Sequence, residues 1–256
     1  MKRLLWLALT TIFLTKLALA VPTPTTLNFS ASTESNEIER STATPTNSTQ
    51  TAVTKSGHTN NRKGIVIMVF KKYTNLLTFQ LERSHQIAKD LLSDPTIVGV
   101  NNEEMQKATN MLLDYVAQSD ISELAKLPPA EIPNRYYLAI GTMFVIGKFD
   151  AFVRQLNTTS EQDRTPTARL LWTALQRHGY QEFQVEVEKR YIELLETIVD
   201  DVGEYVTSLS PANREKDKQL VQAYDMYVKH PERYTKIEFG GSLFDVFFKE
   251  AAKAYE

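Results

Sequence analysis

The chain has 256 residues, sets 29 basic against 31 acidic side chains and contains no cysteine. Without a thiol there is no disulfide, no thiol catalysis and no cysteine-based zinc site, so packing must hold the fold together, which a domain of roughly 190 residues can manage. From Gly64 onward 22 basic residues stand against 28 acidic ones with no basic stripe among them, which argues against nucleic-acid binding through phosphate.

In chain order, Met1-Lys2-Arg3 gives a positive start, Leu4 to Leu14 a short apolar core, and Leu17-Ala18-Leu19-Ala20 the ending. Ala18 and Ala20 supply the A-x-A spacing that a signal peptidase accepts, so residues 1–20 read as a signal peptide cut after Ala20. An uncleaved anchor is the weaker reading, because the apolar stretch falls short of the ~20 residues that span a bilayer and Lys16 interrupts it. The longest later apolar run is Ile65 to Phe70, so no further span is expected. The mature chain is expected to be soluble, secreted and extracellular, without stable membrane insertion.

Residues 21–63 hold 17 Ser or Thr among 43, together with Pro22, Pro24 and Pro45, a composition too poor in apolar surface to offset its ordering entropy. This predicts a disordered tether, either an O-glycosylated stalk or an unmodified leader. Asn28, Asn47 and Asn157 each open an N-x-S/T sequon, the first two in the tether and the third before a polar loop. All three are expected glycosylation sites on a secretory route. Arg62-Lys63 closes the tether. A flexible basic pair there would let a processing protease release a domain beginning near Gly64, although a solvated charge pair at a domain edge is the plainer reading.

From residue 64 to 256 the periodicity is helical. A first helix is expected over 65–92, although the β-branched run Ile65 to Phe70 also suits a strand, and Asp94-Pro95 stops it. A second covers 102–118, with Glu103 and Glu104 in its first turn and Met105, Ala108, Met111, Leu112 and Tyr115 on one side. A short turn at 122–127 ends at Pro128-Pro129. A third, 134–156, is apolar on most of its surface, which predicts enclosure by other helices at the centre of a bundle.

Thr165-Pro166 and Gly179 frame a fourth helix, as an N-cap with proline at the first position and a C-terminal stop. The fifth, 181–209, is amphipathic, with Phe183, Val187, Tyr191, Leu194, Ile198 and Val202 on one side and glutamates on the other. Ser210-Pro211 starts a sixth that ends before Pro231, and Ser242 is read as the cap of a last helix over 243–255. The expected fold is an all-α bundle of six or seven helices behind the disordered tether.

Catalytic signatures are absent: there is no G-x-S-x-G elbow, H-E-x-x-H or glycine-rich phosphate loop. Glu82 and His85 make a single Glu-x-x-His, half of what a carboxylate-bridged metal bundle requires, so no metal or cofactor is expected. Phe144, Phe149, Trp172, Phe244 and Phe247 are the aromatic residues expected to line an apolar cavity between helices, or else to fill the core. Two functions follow. One is a non-enzymatic interaction or structural protein that meets an unknown protein partner through an exposed apolar patch, placed on the last helix. The alternative is a carrier of a small apolar ligand in a bundle cavity.

Overall fold

The computed structural model describes residues 62–120, 132–157 and 164–253. The signal peptide, almost all of the tether with Asn28 and Asn47, and the turn at 122–127 lie outside them. Among the described residues all regular structure is helical: α1 (Arg62–Ser93), α2 (Pro95–Val98), α3 (Glu103–Gln118), α4 (Ile132–Asn157), α5 (Pro166–Arg177), α6 (Tyr180–Ser208), α7 (Pro211–Lys216), α8 (Lys218–Lys229) and α9 (Lys236–Lys253). The nine exceed the six or seven expected, because a single turn forms after Asp94 and the expected sixth helix breaks at Asp217.

The ambiguous run 65–70 is helical. Ile65, Val66, Val69 and Phe70 are buried while Ile67 and Met68 are half-exposed, a spacing of one helical stripe rather than the alternation of a strand. Side-chain caps fix three further helix starts. Asn102 accepts a bond from the Met105 amide at 2.8 Å, Thr165 from Ala168 at 3.0 Å and Ser210 from Asn213 at 3.4 Å. Gly179 has φ of +82°, the only left-handed residue described, and turns α5 directly into α6.

The buried Asp94 side chain ends α1 and starts α2. It accepts bonds from the Thr96 amide at 2.8 Å and hydroxyl at 2.6 Å, from Arg177 Nη1 at 3.1 Å, and lies 2.8 Å from His178 Nε2. The Thr96 hydroxyl and amide, then His178, hold this carboxyl down to about 2. One carboxylate thus fastens the end of α1 to the end of α5.

Helix α9 begins seven residues before its expected start. Thr235 and Glu238 cap each other: Glu238 Oε2 accepts from the Thr235 amide at 2.9 Å, and Thr235 Oγ1 accepts from the Glu238 amide at 3.2 Å. Ser242, read as the cap, is mid-helix and donates back to the Glu238 carbonyl. Gly240 within this helix is a packing device. A Cβ at Gly240 would lie 2.4 Å from the Leu195 carbonyl oxygen, so α9 crosses α6 with the backbones in contact. Gly203 similarly admits the Tyr224 hydroxyl of α8.

Helix α1 is the hub of the bundle, packing on α3, α4, α5, α6 and α9. The expectation that the apolar third helix, α4, sits at the centre is therefore corrected. Helix α4 lies against α1, α3, α5 and α9 on one side, and among the described residues no helix packs on its other side. Apolar composition says that a helix can be buried, not that neighbours exist to bury it.

Candidate functional site

The outer side of α4 is the most unusual surface among the described residues. No charge interrupts it from Tyr136 to Gly147, and along it Tyr137, Gly141 and Phe144 are exposed, with Leu138, Ile140 and Val145 half-exposed beside them. Phe144 leaves 55 % of its surface in solvent. A methyl group added at Gly141 or at Gly147 would meet nothing within 4 Å, so neither glycine serves a contact among the described residues. A helix interior normally disfavours glycine by about 1 kcal/mol relative to alanine, and here nothing in the described fold offsets that cost. Lys148 bounds the face at one end, held 2.8 Å from Asp114 of α3.

By length and composition alone, Arg135–Asn157 is also the one helix among the described residues able to cross a membrane, although core helices meet the same criteria. This corrects the expectation that no later stretch resembles a span. Thr142 and the glycines break the uninterrupted apolar run without adding charge.

The five aromatics expected to line one cavity are distributed over separate places. Phe149, buried to 1 % exposure, packs between Tyr115, Phe152 and Tyr180, and the half-buried Trp172 joins that group edge-on through Tyr180. Phe244, equally buried, meets Tyr73 at 4.8 Å and Phe248 at 5.9 Å, in a second group that also holds Phe70 and Tyr136. Phe247 is fully buried in α9. Phe144 belongs to neither group: it faces outward, because it falls on the side of α4 opposite Phe149. On the last helix, where an apolar patch was expected, Phe244 and Phe247 turn inward while Ile237 and Val246 are exposed; on α4 both Tyr137 and Phe144 are exposed.

Asn157 is the exposed last residue of α4, where its Oδ1 accepts from Arg164 Nη2 at 2.9 Å. Arg62 and Lys63 are not part of a flexible tether. They form the first turn of α1, with Lys63 exposed and Arg62 bound to acids of two other elements. That pairing separates residues by 155 and 188 positions, beyond the reach of local pattern.

Sequence reasoning also missed Asp150, half-buried on the inner side of α4. Burial raises its carboxyl to about 6, with Arg154 opposing, and it accepts no hydrogen bond from the described residues. Its charge falls near Tyr115 and Tyr180, whose hydroxyls burial pushes upward, Tyr115 to about 12. Tyr115 OH lies 2.6 Å from Ser84 Oγ of α1. Nearby, His85 Nδ1 lies 2.8 Å from Ser119 Oγ, and burial, with Lys89, lowers the imidazole.

A serine beside a histidine at that distance matches a nucleophile and its base, but Ser119 is fully buried as the C-cap of α3 and offers no approach to a substrate. His85 thus ties α1 to α3, and Glu82 of the same half-motif is exposed. Among the described residues no cluster of three His, Asp or Glu side chains is placed to hold a metal ion.

A half-open groove of about 500 Å³ runs between the end of α1, α2 and α3, lined by Leu92, Ile97, Val98, Val100 and Met105, with Gln106, Thr109 and Asn110 at its edge. None of the five aromatics borders it. No protein-family model, curated protein or solved structure matches the chain.

Proposed function

We propose that this is a secreted, non-enzymatic interaction protein that meets a helix of a protein partner through the outer face of α4, behind a glycosylated N-terminal tether. The observation that carries the reading is Phe144, more than half exposed on an uncharged helix face beside two glycines that pack against none of the described residues. An aromatic anchor on a surface where backbones can approach closely suits a partner helix presenting its own apolar stripe. The signal-like start and the three sequons Asn28, Asn47 and Asn157 support the secretory part.

The test places a photo-crosslinking residue at 144, and as a control at the exposed Glu188 of α6, in the full chain made by secreting cells. The expected result is one protein adduct from position 144, none from 188, and loss of that adduct on Gly141→Leu. Equal labelling from both positions, or lipid adducts alone, would overturn the reading.

The groove supports a second reading, a carrier of a small apolar molecule, because its volume lies within the ordinary range of ligand sites. Native mass spectrometry of the secreted protein separates the two. A stoichiometric apolar adduct lost on Val98→Glu favours the carrier, and a clean apo mass favours the interaction protein.

A further inference from the structure

Arg62 is the first described residue and one of the most connected. Its Nε donates to Glu250 Oε2 at 3.0 Å and its Nη2 to the other oxygen of the same carboxylate, a two-pronged clasp on α9. Its Nη1 donates to Asp217 Oδ1 at 3.1 Å, at the junction of α7 and α8. Asp217 also accepts the hydroxyl of Tyr205 from α6. A single guanidinium thereby joins the start of α1 to α9, to the α7–α8 junction and, through Asp217, to α6.

The residue beside it makes this arrangement a question of chemistry. Arg62-Lys63 is a basic pair, and proteases that read such pairs take the substrate in extended form with the cations in acidic subsites. Here residues 62–65 are helical, the Arg62 guanidinium is already occupied by Glu250 and Asp217, and Gly64, Ile65 and Val66, which follow the bond, are buried. Only Lys63 is exposed. Cleavage therefore requires the first turn of α1 to unwind and Arg62 to leave both acids.

We propose that the Lys63–Gly64 peptide bond is a conformation-gated processing site, cut by a basic-pair-directed endoprotease while the start of α1 is open and protected once Arg62 has closed on Asp217 and Glu250. In the cut, water adds across the bond: its hydroxyl goes to the Lys63 carbonyl carbon, and the Gly64 nitrogen leaves with the proton as a new amino terminus. No oxidant or cofactor enters. The cut also removes Arg62 from the domain, so Asp217 and Glu250 lose their shared counter-charge and α9 loses its tie to the start of α1.

The test is limited digestion of the full secreted chain with trypsin, reading the new amino termini by mass. The wild type is compared with Arg62→Lys, which keeps a basic pair without the two-pronged clasp, and with Asp217→Asn/Glu250→Gln, which keeps Arg62 and neutralises its partners. Cleavage after Lys189, in the middle of α6, monitors unfolding of the whole domain. The expected result is a rise of about tenfold or more in the rate of Gly64 amino-terminus formation in both variants, with the Lys189 rate unchanged. Equal Gly64 rates in all three proteins overturn the proposal, and so does a rise at Lys189 in step with the rise at Lys63.

Discussion

Two glycine-and-phenylalanine segments of this protein meet opposite fates. In α9, Gly240 brings the backbone against Leu195, and Phe244 and Phe247 vanish into the core. In α4, Gly141 and Gly147 face open space, and Phe144 points into solvent. Equivalent chemistry at helical spacing thus does internal work in one place and none in the other. On the proposed function, that unused packing device is where the partner helix would sit.

The two phenylalanines should differ most. Phe244→Ala is expected to lower unfolding free energy by about 3–5 kcal/mol, whereas Phe144→Ala should stay within about 0.5 kcal/mol, read by denaturant midpoint at constant slope. Similar losses at both positions would mean that α4 has no free face.

The inner side of α4 sharpens the contrast. The Asp150 carboxyl, raised to about 6, holds its proton longer in the folded than in the unfolded chain, so this group's contribution is most favourable below the ordinary carboxylate range and declines as pH rises through 6. Asp150→Asn is expected to raise stability at neutral pH by up to roughly 3 kcal/mol and to remove that decline between about pH 4 and 6. Asp94 has the opposite sign. Its depressed carboxyl stabilises above the ordinary range and loses that effect as pH falls toward 2, so Asp94→Asn should flatten the acid limb of the same titration.

The smallest effects separate the glycines by sign. Gly240→Ala forces a methyl onto the Leu195 carbonyl and should destabilise by about 1–3 kcal/mol, while Gly141→Ala should stabilise by about 0.5–1 kcal/mol through helix propensity. Paired thermal melts decide both.

What the sequence made legible was local. Thr165 and Ser210 announce helix starts because a cap needs only a side-chain oxygen and amides two or three residues away. The start of α9 is equally local, in Thr235 and Glu238, but Ser242 carries a hydroxyl of the same kind and reads as the cap, whereas that hydroxyl turns back to the Glu238 carbonyl in mid-helix. Non-local facts were out of reach. Hydrophobic spacing could make α4 apolar without telling which side would find neighbours, burial of Asp150 depends on residues remote in the chain, and the bond from Arg62 to Glu250 links residues at opposite ends of the domain.

The span of that clasp also sets a clock. Arg62 leaves the ribosome 188 residues ahead of Glu250, which at ordinary synthesis rates of about 5–20 residues per second is a delay of roughly 10–40 s. Throughout that interval the opening of α1 lacks its Glu250 partner, and for most of it Asp217 is missing as well, since that residue also follows far behind. The age of the nascent chain, as much as its final shape, decides how long its first turn stays accessible.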